Sequence, residues 1–222
     1  MDKAIIAIDG FAATGKSTIA ERLSKHLGIP HVDSGAFYRG ITFLALEKGW
    51  ITDNNIDETS IGEGIEEVKI NFDSISNTLT LNKRDITDKI RSNLVSSNVS
   101  QIAKIPFVRS YLLKQQKLMG ARHGLVMDGR DIGTAVFPEA DFKFFFTAKV
   151  EVRAQRRWKE MEANGFLLSY NEVLKNLLDR DKIDSERKVS PLKKADDAIE
   201  IDSTYLSLQE VFDILIAKIN GK

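Results

Sequence analysis

The sequence predicts a doubly wound α/β fold, and three observations carry that prediction. Short apolar runs of buried-strand type alternate with amphipathic helices along the 222 residues. A glycine-bounded loop, Gly10-Phe-Ala-Ala-Thr-Gly-Lys-Ser17, stands between the first such run and the first helix. One stretch of alternating residues interrupts the series and reads as a small antiparallel insert.

The first strand is the continuous apolar run Ala4 to Ile8. The loop after it has two glycines separated by four residues, then Lys and Ser, which is the phosphate-binding loop pattern. Its glycines let the backbone curl so that successive N–H groups face an anion, and the next helix adds the positive end of its dipole. Lys16 can then reach the β/γ-phosphates, and the Ser17 hydroxyl can ligate Mg²⁺, partly through water. Ile19, Leu23 and Leu27 mark one face of the helix, and Gly28 with Pro30 supplies its stop. A plain glycine turn in a βα unit is the alternative, but strand, loop and helix each sit where the motif requires.

Ile29 to Val32 reads as a second strand, ending in Asp33-Ser34-Gly35. The following helix carries Phe37, Ile41, Leu44 and Ala45 on one face and stops at Gly49. Ser34 and Tyr38 share a face of its first turns, with Arg39 beside them. A capping serine and a solvated arginine are the other reading of that group.

From Glu66 the pattern alternates. Val68, Ile70 and Phe72, a turn at 74–77, then Leu79 and Leu81 predict a hairpin, with a short third strand around Ile86. Helical spacing resumes at Asp88 and is broken by Pro106, with Ser100 and Arg109 on either side. Val108, Leu112 and Met119 carry the next helix to Gly120 or beyond. Leu125 to Asp128 is a third buried-type strand that delivers an aspartate at its carboxyl end, followed by Gly129-Arg130-Asp131. Such an acid commonly helps hold the Mg²⁺ shell of a phosphate-loop protein, although strands often end in Asp. Phe142 to Phe146 is a fourth strand, packed as core.

Charge dominates from Arg153, with Arg156 and Arg157. A capping box at Ser169 and Glu172 opens a helix that runs into Arg180 to Arg187. A solvated helix face would look like this. With a phosphate loop upstream, arginines on a closing flap are the stronger reading, because phosphoryl transfer concentrates negative charge. Ala198 to Ile201 gives the fifth strand. A second capping box, Ser207 with Glu210, opens a last helix with an apolar stripe.

Composition narrows the rest. Net charge is zero, which gives no argument for a nucleic-acid or acidic-membrane partner. There is no cysteine, hence no disulfide and no thiolate chemistry. His26, His31 and His123 show no metal-ligand spacing and read as ordinary. With a strand expected from Ala4, no signal peptide is expected. No apolar run is long enough to span a bilayer. A cytoplasmic monomer is the expectation.

Gly10–Ser17, Asp33–Arg39 and Asp128–Asp131 all follow strand ends and should converge on one sheet edge, as two phosphorylated substrates meeting end to end would need. From the first strand to the last helix the chain resembles the bacterial-type cytidylate kinases. The stretches that carry the resemblance are Gly10–Ser17, Asp33–Arg39, Val108-Arg109, Asp128-Gly-Arg-Asp-Ile-Gly-Thr134, Arg153 with Arg156 and Arg157, Arg180–Arg187 before Ser-Pro-Leu, and Ile201–Thr204.

The resemblance implies a five-stranded parallel core with helices on both faces. It also implies a monophosphate-binding lobe inserted at 36–105, with its hairpin at about 66–86, and a short helical lid at 150–188. It implies ATP as donor, Mg²⁺ as cofactor, and CMP or dCMP as acceptor. Gly10, Gly15, Lys16, Ser17 and Thr18 would hold the ATP phosphates and Mg²⁺. Arg39 and Arg130, with Tyr38, would grip the acceptor's phosphate, near Asp128. Ser100, Arg109 and Asp131 would read the cytosine edge, with Ser34 nearby. Arg180 and Asp184 would bind the ribose, Arg187 would close with the flap, and Arg153 and Arg157 would meet the transition state. Two alternatives stay open for the base contacts: Asp131 only orients Arg130, and Arg109 is solvated.

The chain departs from many relatives at Phe11 and Ala13, where they carry Pro and Gly. Alanine resists a positive φ, so Ala13 is expected in an αR or β-like conformation. The competing functions are another small-molecule kinase, acting on adenylate, uridylate or shikimate, and a non-catalytic nucleotide sensor. Arg130, Arg153, Arg157 and Arg187 speak against the sensor.

Overall fold

A computed structural model describes residues 3–52, 55–73, 76, 78–120 and 124–221. They form two compact units: residues 1–31 with 123–222, and Val32–Arg122.

The first unit opens with β1 (Ile5–Gly10), whose apolar run is buried as the sequence requires. α1 (Lys16–Leu27) follows with Ile19, Ala20 and Leu23 buried. β2 (His31–Asp33) then leads the chain into the second unit.

There α2 (Ser34–Glu47) is followed by a minimal antiparallel pair, β3 (Ile51–Thr52) and β4 (Asn55–Ile56), and by α3 (Glu58–Glu66). The expected hairpin is β5 (Ile70–Asp73) and β6 (Thr78–Leu81), extended by β7 (Arg84–Asp85) where a third strand was expected. Its turn at 74–77 lies largely outside the described residues. Alternation buries Ile70, Phe72, Leu79 and Leu81 on one face, which packs on α2 with the Phe37 and Phe72 rings 5.9 Å apart. A 3₁₀ turn at Lys89–Arg91 leads to α4 (Asn93–Ala103), and Pro106 begins α5 (Pro106–Gly120). Proline fits that first helical position, where no N–H is needed.

The chain returns to the first unit with β8 (Leu125–Gly129), a π-helical turn at Ile132–Val136, and β9 (Phe142–Thr147). α6 (Val150–Ala163), α7 (Tyr170–Glu186), β10 (Ile199–Asp202) and α8 (Leu208–Asn220) complete it. The five-stranded sheet has the order β10-β9-β1-β8-β2, with β1 parallel to both β8 and β9. Ile6, Ile8, Val126, Phe144 and Phe146 meet Ile19, Leu23, Val211, Phe212 and Leu215 of α1 and α8 in one core. Among the described residues, no helix is long and apolar enough to cross a membrane.

Candidate active site

The carboxyl end of β1 runs straight into the phosphate loop. A side chain at Gly10 would place its Cβ 2.2 Å from the Phe146 carbonyl oxygen, so only glycine lets β1 and β9 stay paired there. Gly15, at φ 86°, is the turn into α1. Ala13 corrects the sequence expectation: it sits at φ 58°, in the left-handed region. The loop demands that turn whichever residue stands there, at a cost of about 1 kcal/mol for alanine. Bonds across the loop oppose the cost. Thr14 Oγ1 and Lys16 Nζ each donate to the Phe11 carbonyl at 3.0 Å, and Ser203 Oγ donates to Thr14 O at 3.0 Å. Beside the loop lies a cavity of about 610 Å³, lined also by Arg156, Arg157, Arg180, Leu206 and Leu208.

At the head of α1, Ser17 Oγ donates to Asp128 Oδ2 at 2.6 Å. The other carboxylate oxygen, Oδ1, accepts from His31 Nε2 at 2.8 Å. His31 is therefore not an ordinary histidine, as the sequence suggested: it holds the carboxylate that faces the phosphate loop. The hydroxyl and carboxylate are the hard oxygen donors that Mg²⁺ takes. Among the described residues no cluster of three or more His, Asp or Glu could hold a metal alone. A cation here would complete its shell from water and phosphate oxygens, which is how Mg²⁺ is usually held. The residues fit the ion.

Beyond β8 and along α7, arginines and aspartates interlock. Arg130 Nε donates to Asp184 Oδ2 at 2.8 Å and Nη1 to Gly129 O at 3.2 Å. Arg187 is ion-paired to Asp131 at 3.5 Å and to Asp184 at 3.7 Å. Arg153 donates to Asp181 Oδ2 at 2.7 Å and to Ala148 O at 2.9 Å, with its guanidinium 5.1 Å from the Phe11 ring. Burial pulls the Arg130 guanidinium down, but Asp184 and then Asp181 and Asp128 outweigh it and hold its pKa above the ordinary value. Burial likewise pushes Asp184 up, and Arg130, Arg180 and Arg187 together bring it below the usual carboxylate range. Asp181 is raised, because burial exceeds what Arg153 returns. Arg157 differs: it is paired at 3.0 Å with a largely exposed Glu160.

In the second unit Arg39 pairs with Asp33 at 2.7 Å, and Ser34 and Ser100 are buried. Arg109 is 3 % exposed, donates to Ala103 O at 3.0 Å, and lies 5.4 Å from the Tyr38 ring centroid. It is not a solvated helix residue.

Three comparisons bear on this arrangement. The family model described as cytidylate kinase matches residues 6–221. The chain belongs to the cytidylate kinase family. It is 47% identical to the cytidylate kinase of Flavobacterium psychrophilum, over the whole of both chains. It is 45% identical to that of Bacteroides fragilis, with 98% of this chain and 97% of the relative covered. For the cytidylate kinase of Clostridioides difficile the identity is 41%, with 99% and 100% covered. Among solved structures it is similar in fold to an uncharacterized protein from Eubacterium ventriosum, with TM-score 0.53, 15% identity and 99% of each chain covered. A sugar kinase from a Janibacter species has TM-score 0.50 and 12% identity, with 98% and 95% covered.

Within this cytidylate kinase family fold, Gly10, Gly15, Lys16, Ser17, Thr18, Asp128, Arg130, Asp131, Arg153, Arg157, Arg180, Asp184 and Arg187 all fall in the first unit. Ser34, Tyr38, Arg39, Ser100 and Arg109 fall in the second. Sequence reasoning passed over Asp9, His31 and Asp181. An acid closing an apolar strand run, as Asp9 does, is itself a signal. Asp181 stands three residues before Asp184, one turn apart on α7.

Proposed function

We propose that this protein transfers a phosphoryl group from ATP to CMP, and to dCMP, with Mg²⁺, by direct in-line displacement and without a covalent intermediate. The observation that carries this reading is the phosphate loop in one unit with arginines 130, 153 and 187, each held by an aspartate. Carboxylates hold these guanidiniums in place until phosphate oxygens arrive, which limits reorganisation during the reaction. Family membership supports the acceptor.

In this reading the loop amides, Lys16 and Thr18 hold the donor phosphates, and Ser17 with Asp128 would hold Mg²⁺. When bound, the ion neutralises charge on the donor phosphates. Arg39 and Arg130, with Tyr38, grip the acceptor phosphate. Arg180 and Asp184 take the ribose, and Arg187 closes over it. Arg153 and Arg157 meet the charge that develops on the moving group. Cytosine presents a 4-amino donor and an N3 acceptor. Asp131 accepts from the first, Arg109 donates to the second, and Ser100 with Ser34 completes the set. Uracil reverses both groups and leaves them mismatched, which discriminates strongly when the groups are buried. A cytoplasmic, monomeric enzyme completes the proposal.

A coupled ADP-release assay with CMP, dCMP, UMP and AMP tests it. CMP and dCMP should be good acceptors, UMP poor and AMP inactive, and Asp131→Ala should collapse the CMP:UMP ratio of kcat/KM. A wild-type ratio near one, or a ratio unchanged in Asp131→Ala, would overturn the base assignment.

A further inference from the structure

Asp131 stands at the N-cap position of the π-helical turn Ile132–Val136, with φ −147° and ψ 26°. An aspartate there ordinarily turns its own side chain onto the first amides of the turn, which have no partner within it. Asp131 makes no such bond. The amides of Ile132 and Gly133 are taken instead by Asp9, the penultimate residue of β1. Its two carboxylate oxygens accept them, one each, at 2.7 Å. Asp9 is 5 % exposed. The carboxylate of Asp131 is thereby left to face Arg187.

We propose that Asp9 is a positioning residue for the acceptor side of the reaction: by capping this turn from the neighbouring strand, it keeps Asp131 and Arg130 turned toward the acceptor. The proposal rests on the reading of Asp131 and Arg130 as acceptor contacts. Two features make the arrangement specific. A buried carboxylate is costly unless its oxygens are well bonded, and burial lifts Asp9 to about 7 although both amides pull it down. The turn is also closely packed, since a Cβ at Gly133 would stand 3.2 Å from the Lys143 side chain and in van der Waals contact with Asp9 Oδ2 at 3.4 Å. The charged groups around Asp9 are Asp131, which raises it, Arg130, which lowers it, and Lys143, whose ammonium is bound to Asp197.

Asp9→Asn has the same shape but presents an NH₂ to one of the two amides. The freed amide gives Asp131 a reason to fold back and cap its own turn. Steady-state kinetics should then show KM for CMP raised about tenfold or more, the order expected for a misplaced contact, with KM for ATP changed less than twofold. The CMP:UMP ratio should fall toward that of Asp131→Ala. Unchanged acceptor terms, or both KM values rising together with a lower Tm, would overturn the positioning role and leave only a structural one.

A measurement on the wild-type protein needs no variant to fold. By NMR, the Ile132 and Gly133 amide resonances should titrate together with the Asp9 carboxyl carbon near pH 7. Amides that ignore that titration would sink the proposal. This readout does not depend on which acceptor is used, so wild-type protein inactive on CMP would count against the functional reading alone.

Discussion

Ala13 is the clearest case of a residue overruled by its surroundings. Held at φ 58°, it bears a local cost that glycine would not. Glycine would also add freedom to the unfolded chain, which returns about 0.4–1 kcal/mol of the gain. Ala13→Gly should therefore raise Tm by no more than about 2 °C. A clear fall in Tm would mean that the loop is unstrained at this position. Lys16 makes the opposite demonstration. Its ammonium rests on the Phe11 carbonyl, 3.0 Å away, within the loop it would serve. Lys16→Met should abolish turnover and leave the far-ultraviolet spectrum native; a folded, active Lys16→Met protein would remove the loop from the mechanism. Lys16 was legible in the sequence because spacing alone defines its motif. His31 was not, since its role arises only when Asp128 of β8 comes within 2.8 Å, a contact 97 residues away along the chain.

At the scale of elements, legibility follows periodicity. Both capping boxes, Ser169 with Glu172 and Ser207 with Glu210, form as their spacing requires. The two-residue strands β3 and β4 are too short to show a period, and α3 has only Ile61 and Ile65 buried, so neither stood out. The π turn also left no pattern, because its amides are satisfied by Asp9 rather than by a local residue. The segment 150–188 reads in sequence as poor in apolar anchors. In the fold, Ala154, Met161, Val173 and Leu177 of α6 and α7 cluster with Ala12 of the phosphate loop. On the proposed reading of this segment as a lid, that small cluster keeps the helix pair together as it moves. Arg153 is buried and fastened to Asp181, whereas Arg157 is paired only on the surface side, with Glu160. Arg157→Ala should thus lower kcat far more than it raises either KM, since its contact would be made chiefly in the transition state. Hydrogen exchange across α6 and α7 should slow when both nucleotides are bound. Equal protection with and without them would rule out closure.

Across the whole molecule the net charge is zero, yet its acids are not equivalent. Arg130, Arg180 and Arg187 outweigh burial and lower Asp184, so its stabilising contribution is present above the ordinary carboxylate pKa and is lost as pH falls further. Asp9 behaves in reverse. Its pKa is raised by burial from 3.8 to about 7, so the fold favours the protonated form. The cost of holding it ionised is absent in acid, grows between about pH 4 and 7, and is complete above that, at about 4 kcal/mol. Asp181, also raised by burial, acts in the same direction. Stability should therefore fall as pH rises from 5.5 to 8.5, while the ionised Asp9 that caps the Ile132 turn becomes more abundant. Denaturant unfolding of the wild type and Asp9→Asn at those two pH values isolates this acid, because every other side chain is common to both proteins. The stability difference between them should shift in favour of Asp9→Asn as pH rises. A difference independent of pH would show that Asp9 does not titrate in this range, and the molecule would then not trade stability at neutral pH for a charged cap beside its reactive loop.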